Sequence, residues 1–518
     1  MKKVSLLFAL LLSCSLTTFS QGFSQQLGAD IDGEDDNDWS GQSVSMNAAG
    51  DRLAIGAPLN GIGIAGHVRI YDWNGTAWMQ VGNDIEGDSL DQSGHSVSMN
   101  STGDRLAIGG IGGAGRTRIF DWNGTAWIQL GADIDGEAAN DDSGYSVSMN
   151  AVGDRLAIGA RFNDGNGFSS GHARIYDWDG TAWTQVGTDI DGESSGDRCG
   201  HSVSINATGD RLAIGAPDAA GKGRTRIFEW NGTAWIQLGA GIDGDASNED
   251  SGWSVSMNAS GNRLAIGTPQ GIGNDIGYVR IYDWDGTAWI QVGTDINGAG
   301  YSRSGHSVSM NAAGDRLAIG APNASLGYIG HVRIYDWDGT AWVQYGADID
   351  GEATYDYSGH SVSMNAAGDR LAIGAWGNSN ETGHVRIYEG CGNTGTVIDN
   401  DADNDGSCEL GGCTYDFALN YNPSASFDDG SCIERVEGCT DLGAVNYNNN
   451  ANSDDGSCIQ PLAGCTDCSA DNYNPAATSD DSSCTTAPSE CPGDFTGDGF
   501  VNVSDLGGFL GAFGSECE

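Results

Sequence analysis

Basic residues are scarce in this chain: 23 Lys and Arg stand against 71 Asp and Glu, for a formal net charge of −48. Phosphate binding requires clustered Lys and Arg, so nucleic acid is excluded as a partner class. Divalent cations, or solubility in a salty medium, are the natural counterparts of such a surface. Long apolar runs are lacking as well. Past the first twenty residues no stretch stays apolar for eighteen positions, so no later segment is expected to enter a membrane. No Ser-His-Asp order, phosphate loop, H-E-x-x-H motif or isolated carboxylate pair stands out. Cysteine is almost missing before residue 391, where only Cys14 and Cys199 occur, which excludes a disulfide framework there.

What is present begins with an address. Lys2-Lys3, an apolar run over 4–12 and Thr18-Phe19-Ser20 have the form of a secretory signal peptide over 1–20, with cleavage expected near Ser20–Gln21. Leu11-Leu12-Ser13-Cys14 also resembles a lipoprotein box, although Leu fits its second position poorly; Cys14 is the candidate lipid anchor.

Residues 21–390 repeat one unit seven times. The valine of S-V-S-[MI]-N recurs at Val44, Val97, Val147, Val203, Val255, Val308 and Val362, about every 53 residues. SVSMN, RLAIG and VRIYDW alternate with period two, and Asn-Gly or Asp-Gly before T-A-W is a strong hairpin signal. The spacing predicts four short strands per unit and no helix. The last unit stops at HVRIYEG and lacks its W-x-Q-x-G-x-D-I-D-G piece, which stands instead at 23–34 as FSQQLGADIDGE. A repeat that begins with its own last strand closes a ring and leaves no exposed sheet edge, which predicts an all-β, seven-bladed β-propeller. Loops of the NAAGD and W-[ND]-G-T type fall on one face and hardly vary. The second-to-third-strand loops and the blade-to-blade loops fall on the other face and vary freely, which places any ligand there.

The sequence SGHSVSMNAAGDRLAIGAP followed by GHVRIYDWNGTAW resembles the FG-GAP repeat of integrin α-subunit propellers and secreted bacterial proteins, across all seven units, with Gly-Ala-Pro at 56–58, 215–217 and 320–322. Calcium-binding members carry an acidic D-x-D-G-D loop between the first two strands. Residues 47–51 here read Asn-Ala-Ala-Gly-Asp, too few carboxylates for a calcium cage, so blade calcium is not carried over.

From 391 onward the chain changes character. Cys413 to Cys432, Cys439 to Cys458 and Cys465 to Cys484 are equally spaced; Cys391 to Cys408 reads as a degenerate copy, and Cys491 to Cys517 brackets the C-terminus. Small exported modules without a core of their own use disulfides in this way, each loop contributing roughly 3 kcal/mol. Zinc is the competing reading, but no second Cys-x-x-Cys pairs with the first and the region has no His. Cys199 and Cys468 are left over. The modules GCTDLGAVNYNNNANSDDGSC and their sisters over 391–486 resemble stalk repeats of secreted Bacteroidetes-type proteins, which implies extracellular placement.

The tail, 487–518, carries the sharpest site. Residues 494–505 follow a twelve-residue calcium loop, with ligands expected from Asp494, Thr496, Asp498, Phe500 (carbonyl), Asn502 and Asp505, and the turn glycine at Gly499. It resembles half of an EF-hand-like dockerin repeat; Thr496 stands where Asn or Asp is usual, and the second loop of a dockerin is missing. Asp401, Asp403 and Asp405 form a truncated D-x-D-x-D-G run that suits calcium and a solvated linker equally. In the propeller the D-I-D-G-E acids, such as Asp133, Asp135 and Glu137, recur, but Gly241, Asn297 and Ala299 break the pattern, which favours a solvated loop over a cation ring.

All eight histidines occupy two repeat positions, His95, His201, His306 and His360 at one and His67, His172, His331 and His384 at the other, which marks them as structural. Most tryptophans belong to the W-[ND]-G-T-A-W hairpins. Trp39, Trp253 and Trp376 do not; they are candidates for stacking on a sugar, with inter-blade packing as the alternative. Asn74, Asn123 and Asn231 sit in N-G-T sequons that become D-G-T elsewhere, which turn geometry explains and glycosylation does not. The expectation is a secreted or cell-surface, non-enzymatic binding or adhesion protein with a calcium cofactor and an extracellular protein or glycan partner. The alternative is an accessory subunit or hydrolase acting on extracellular polysaccharide.

Overall fold

The computed structural model describes residues 22–390 apart from 24, 62 and 272–274, then 411–412, 427–428, 433 and most of 436–485. The expected signal segment at 1–20 with Cys14, the acidic run at 401–405, the expected calcium loop at 494–505, and Cys391, Cys408, Cys413, Cys432, Cys468, Cys491 and Cys517 lie outside the described residues. The chain divides into two compact units between Cys408 and Glu409.

The first unit is a seven-bladed β-propeller, each blade an antiparallel sheet. In the first blade the strands are Ser43–Met46, Arg52–Ala57, His67–Trp73 and Trp78–Gln80, counted from the centre outward. One detail differs from the four-strand expectation: the outer position is filled twice. Trp78–Gln80 pairs with the lower half of His67–Trp73, and after a short turn Ile85–Glu86 pairs with its other end, so each sheet counts five strands. The turn over 81–84 interrupts what alternation reads as one strand.

Ring closure takes place as the repeat phase requires. Gln25–Gln26 pairs with Tyr388 and Glu389, and Ile31–Asp32 with His384 and Val385, in the sheet that also holds Ser361–Met364 and Arg370–Ala375. The core lies between blades. Val44, Met46, Leu53 and Ile55 of the first blade pack on Ala372, Val385 and Ile387 of the seventh and on Leu27 and Ile31 of the N-terminal segment. Leu53 and its repeat counterparts are fully buried, each contributing about 1.5–3 kcal/mol. The invariant glycine of R-L-A-I-G has a steric cause. A Cβ on Gly56 would lie 2.1 Å from the Gly94 carbonyl oxygen of the next blade.

The face whose loops hardly vary from blade to blade is tied by side chains. Arg52 makes a two-pronged ion pair with Asp72 at 2.5 and 2.6 Å and donates to the Gly103 carbonyl of the next blade. Asn74 Oδ1 accepts from Thr76 N, Thr76 Oγ1 and Ala77 N, and Asp179 Oδ1 accepts the same three bonds from Thr181 and Ala182. One acceptor oxygen does the work, which is why Asn and Asp interchange there. The hairpin tryptophans pack in pairs, such as Trp73 on Trp78 at 5.5 Å.

In the second unit, Cys439–Cys458 and Cys465–Cys484 are disulfides inside their own modules. Each module has a two-residue parallel ladder, Glu437–Gly438 with Ser453–Asp454 and Ala463–Gly464 with Ser479–Asp480; Gly411–Gly412 with Phe427–Asp428 repeats it. Cys199 is a free, buried cysteine of the propeller. It replaces the serine found at Ser40 and Ser143, and its Sγ takes the Arg226 Nη2 bond at 3.3 Å that the Ser40 hydroxyl takes from Arg69. No described helix is long and apolar enough to cross a membrane.

Candidate functional site

The innermost strands begin at the variable-loop face, and one repeat position, the x of S-G-x-S, stands at each of those beginnings. It reads Gln42, His95, Tyr145, His201, Trp253, His306 and His360. These side chains meet in sequence around the mouth of the central channel. His95 contacts Tyr145 at 4.6 Å between ring centres, Tyr145 contacts His201 at 4.9 Å, and His201 contacts Trp253 at 4.3 Å. Trp253 meets His306 at 5.6 Å and His306 meets His360 at 4.6 Å, while His360 faces the Gln42 backbone. His201 Nδ1 bonds the Trp253 carbonyl oxygen at 3.0 Å, and His306 Nδ1 bonds that of His360 at 3.2 Å.

Burial in this ring keeps the imidazoles neutral. Desolvation, helped by the Arg161 guanidinium, pushes His95 down to about 4 and His201 down to about 3. Desolvation also lowers His306 to about 4, with Arg303 adding to it. His360 falls well below the usual value through burial and the neighbouring His306.

A second ring surrounds the first, on the loops two residues before each S-G-x-S glycine. Trp39, Gln92, Asp142, Arg198, Asp250, Arg303 and Tyr357 all have left-handed backbones, with φ between 52° and 59°. Such a conformation costs a non-glycine residue roughly 1–2 kcal/mol. It persists here because each loop is tied to its neighbour: Trp39 N donates to Glu381 O at 3.0 Å and Tyr357 N to Tyr328 O at 3.1 Å. Strain held at one face by surrounding structure is a mark of a functional surface.

The two rings divide the mouth into unlike arcs. Across the seventh blade runs an aromatic ledge: Trp39 on Trp376 at 4.7 Å, Trp376 parallel to Tyr357 at 4.8 Å, and Tyr357 stacked on Tyr328 at 5.6 Å. Tyr355 joins at 6.0 Å from Tyr328, and His360 touches Trp376 edge-on, linking ledge to channel. The Trp39 Nε1 donates to Glu381, whereas the Trp376 Nε1 is buried with no acceptor. Opposite lies a charged arc. Arg161 lies over Tyr145 at 3.7 Å and pairs with Asp142 at 3.1 Å, and Arg198 pairs with Asp218 at 2.9 Å. Asp250 accepts from Gln270; burial and the Asp218 carboxylate push its own carboxyl up to about 6, against the pull of Arg198 and Arg303.

Of the three tryptophans singled out by sequence, two meet on the ledge and the third, Trp253, belongs to the channel ring. Sequence reasoning set the histidines aside because they recur. The overlooked signal was that the recurring position varies, from Gln to His to Tyr to Trp, inside an otherwise fixed S-G-x-S-V-S motif. The D-I-D-G-E acids are not freely solvated either: Arg116 pairs with Asp88, Asp133 and Asp135. The chain matches no family model, and no curated protein is similar to it. The propeller is therefore established by its geometry alone.

Proposed function

We propose that this chain is an exported, non-enzymatic binding protein that holds an extracellular glycan at the mouth of its propeller channel. The observation that carries the reading is the concentration of strained, blade-specific residues on one face of a scaffold whose other face is nearly uniform. Propeller folds are compatible with such binding. Exposed aromatic rings bury sugar faces, and the Arg–Asp pairs of the opposite arc offer hydrogen bonds to hydroxyls and carboxylates. Disulfides persist in oxidising compartments, which supports placement outside the cytosol and accords with the signal segment at 1–20. The resemblance to FG-GAP propellers and to stalk modules of secreted proteins supports the same reading.

A screen of immobilised glycans and cell-surface proteins, with and without calcium, tests it. Retention of a glycan class that is lost on Tyr328→Ala supports the proposal; retention of proteins only would replace glycan with a protein ligand. We further propose that the tail takes one weak calcium ion through Asp494, Thr496, Asp498, Phe500, Asn502 and Asp505, in the range of about 10⁻⁴ to 10⁻³ M typical of extracellular modules. Calorimetric titration of the full chain and of Asp505→Ala checks this: equal heats would remove the site.

A second reading has one observation in its favour. A carboxyl raised to about 6 suits a proton donor, so Asp250 would serve in hydrolysis of a bound polysaccharide. Release of reducing ends that disappears with Asp250→Asn would support this second reading, and no release would leave binding alone.

A further inference from the structure

The seven blades offer seven versions of one peripheral pocket, at the seam where the outer strand of one blade meets the third strand of the next. The position opening the third strand is His67, Arg116, His172, Arg224, Tyr278, His331 and His384 in turn. Around it stand two recurring acids, one from each blade.

Four blades fill this pocket with a guanidinium. Arg116 pairs with Asp88 and Asp133; Arg224 pairs with Glu193 and, since Gly241 replaces the second recurring acid, with Asp243 two residues on. In the fifth blade, Arg280 turns in to hold Asp245 and Asp295. In the sixth, Ala299 removes one acid and Arg333 takes the other, Asp348, at 2.8 Å. Three blades do otherwise. Glu34, His67 and Asp84 come together, as do Glu137, His172 and Asp189, and Glu352, His384 and Asp30; in each group the three candidate ligand atoms lie within 4.8 Å of one another. There the arginine stays at the rim and donates to a backbone carbonyl, as Arg69 does to Asp32 O at 2.6 Å and Arg174 to Asp135 O at 2.9 Å, while its other terminal nitrogen stands 3.7–3.8 Å from the pocket's glutamate, so an ion would draw that carboxylate from the guanidinium.

The imidazoles point into these acidic pockets, and each has at least one buried ring nitrogen without a hydrogen bond, which in His384 is Nε2. The His67 side chain is 1% exposed, and both its ring nitrogens lack a hydrogen bond, as does His172 Nδ1. His67 Nδ1 lies 3.7 Å from Asp84 and 4.0 Å from Glu34. The matching distances are 3.6 Å from His172 to Asp189 and 3.5 Å from His384 to Asp30. Those separations are too long for direct hydrogen bonds and close to the about 3.3–3.4 Å between neighbouring ligands of a tetrahedral ion bound at 2.0–2.1 Å. The second oxygen of each aspartate is held by a glutamine amide: Gln80 on Asp84, Gln185 on Asp189 and Gln26 on Asp30. Such outer bonds orient a metal ligand. The glutamates are half-exposed, which leaves an entry path and a position for water.

We propose that these three pockets bind divalent transition-metal ions of the zinc class, each through one imidazole and two carboxylates, with water completing the coordination. Nitrogen donors and three protein ligands select against calcium, which takes six or more oxygens. Each ion would stitch two blades together. The ion at Asp30, Glu352 and His384 would clasp the N-terminal segment onto the last blade. This inference is independent of what the channel mouth binds.

The test uses the full chain, stripped with chelator, dialysed, and titrated with Co²⁺ in excess calcium so that oxygen-only sites are occupied. Expected are three equivalents of Co²⁺ with visible absorption of low-coordinate cobalt. Each of His67→Ala, His172→Ala and His384→Ala should remove one equivalent. Because a buried histidine can matter for folding, the triple variant Glu34→Gln, Glu137→Gln and Glu352→Gln, altered only at half-exposed side chains, is titrated in parallel and should weaken uptake at least tenfold. No visible band, or three equivalents unchanged in that variant, would overturn the proposal.

Discussion

Arg370 Nη1 donates to the Gly50 carbonyl at 3.1 Å, joining residues 320 positions apart. The same bond links Arg52 to Gly103 and Arg316 to Gly368 at 3.0 and 2.9 Å. The seam between first and last blades is thus built like every other, and the N-terminal segment completes it. Deleting residues 21–34 removes the buried Phe23, Leu27 and Ile31, each worth about 1.5–3 kcal/mol. Thermal unfolding followed by circular dichroism should show a large fall in Tm for the whole propeller. An unchanged Tm would mean that the ring does not need its clasp.

Acid should loosen the channel mouth before it affects the rest of the ring. His95 and His306 titrate at about 4 and His201 at about 3 when folded, against about 6.5 when unfolded. Between these values the unfolded chain binds more protons, so stability is complete above about pH 6.5 and falls as pH drops toward 4. The charged groups beside the ring, Arg161 and Arg303, act in the same direction. Denaturant midpoints measured from pH 7.5 to 4 should fall, and His201→Gln should flatten that slope; an equal slope in wild type and variant would contradict the assignment.

Ligand binding and folding should separate on the aromatic ledge. Tyr328 and Tyr355 are 43% and 57% exposed, so Ala at either should change stability by no more than about 0.5–1 kcal/mol. Affinity for the retained glycan should drop about tenfold or more. Trp376 touches Trp39, Tyr357 and His360, so Trp376→Ala should lower both binding and Tm. Unchanged affinity in both tyrosine variants would move the ligand off the ledge.

Within-module bridging should extend to the pairs beyond the described residues. The ladder Gly411–Gly412 with Phe427–Asp428 stands immediately before Cys413 and four residues before Cys432, the offsets seen in both bridged modules. Peptide mapping of the non-reduced protein should recover Cys413–Cys432, Cys391–Cys408 and Cys491–Cys517, with Cys199 as free thiol. A link between modules would end the picture of independent units.

The sequence by itself determined the blade count, the ring closure, the two loop faces and the two module disulfides found among the described residues. All of these follow from period, phase and equal spacing, which are read along the chain without knowing any contact. Only the tertiary structure decided which positions act together. His95, Tyr145, His201 and Trp253 are some fifty residues apart along the chain and become neighbours because closing the ring brings equivalent positions of adjacent blades within 4.3–4.9 Å. Recurrence alone reads as structural repetition; what it became depends on whether the shared position faces a blade seam, as Leu53 does, or the channel mouth, as His201 does. The broken outer strand and the choice between Arg116 and His67 in the peripheral pocket were likewise set by contacts across a blade seam, and no single repeat contains that seam.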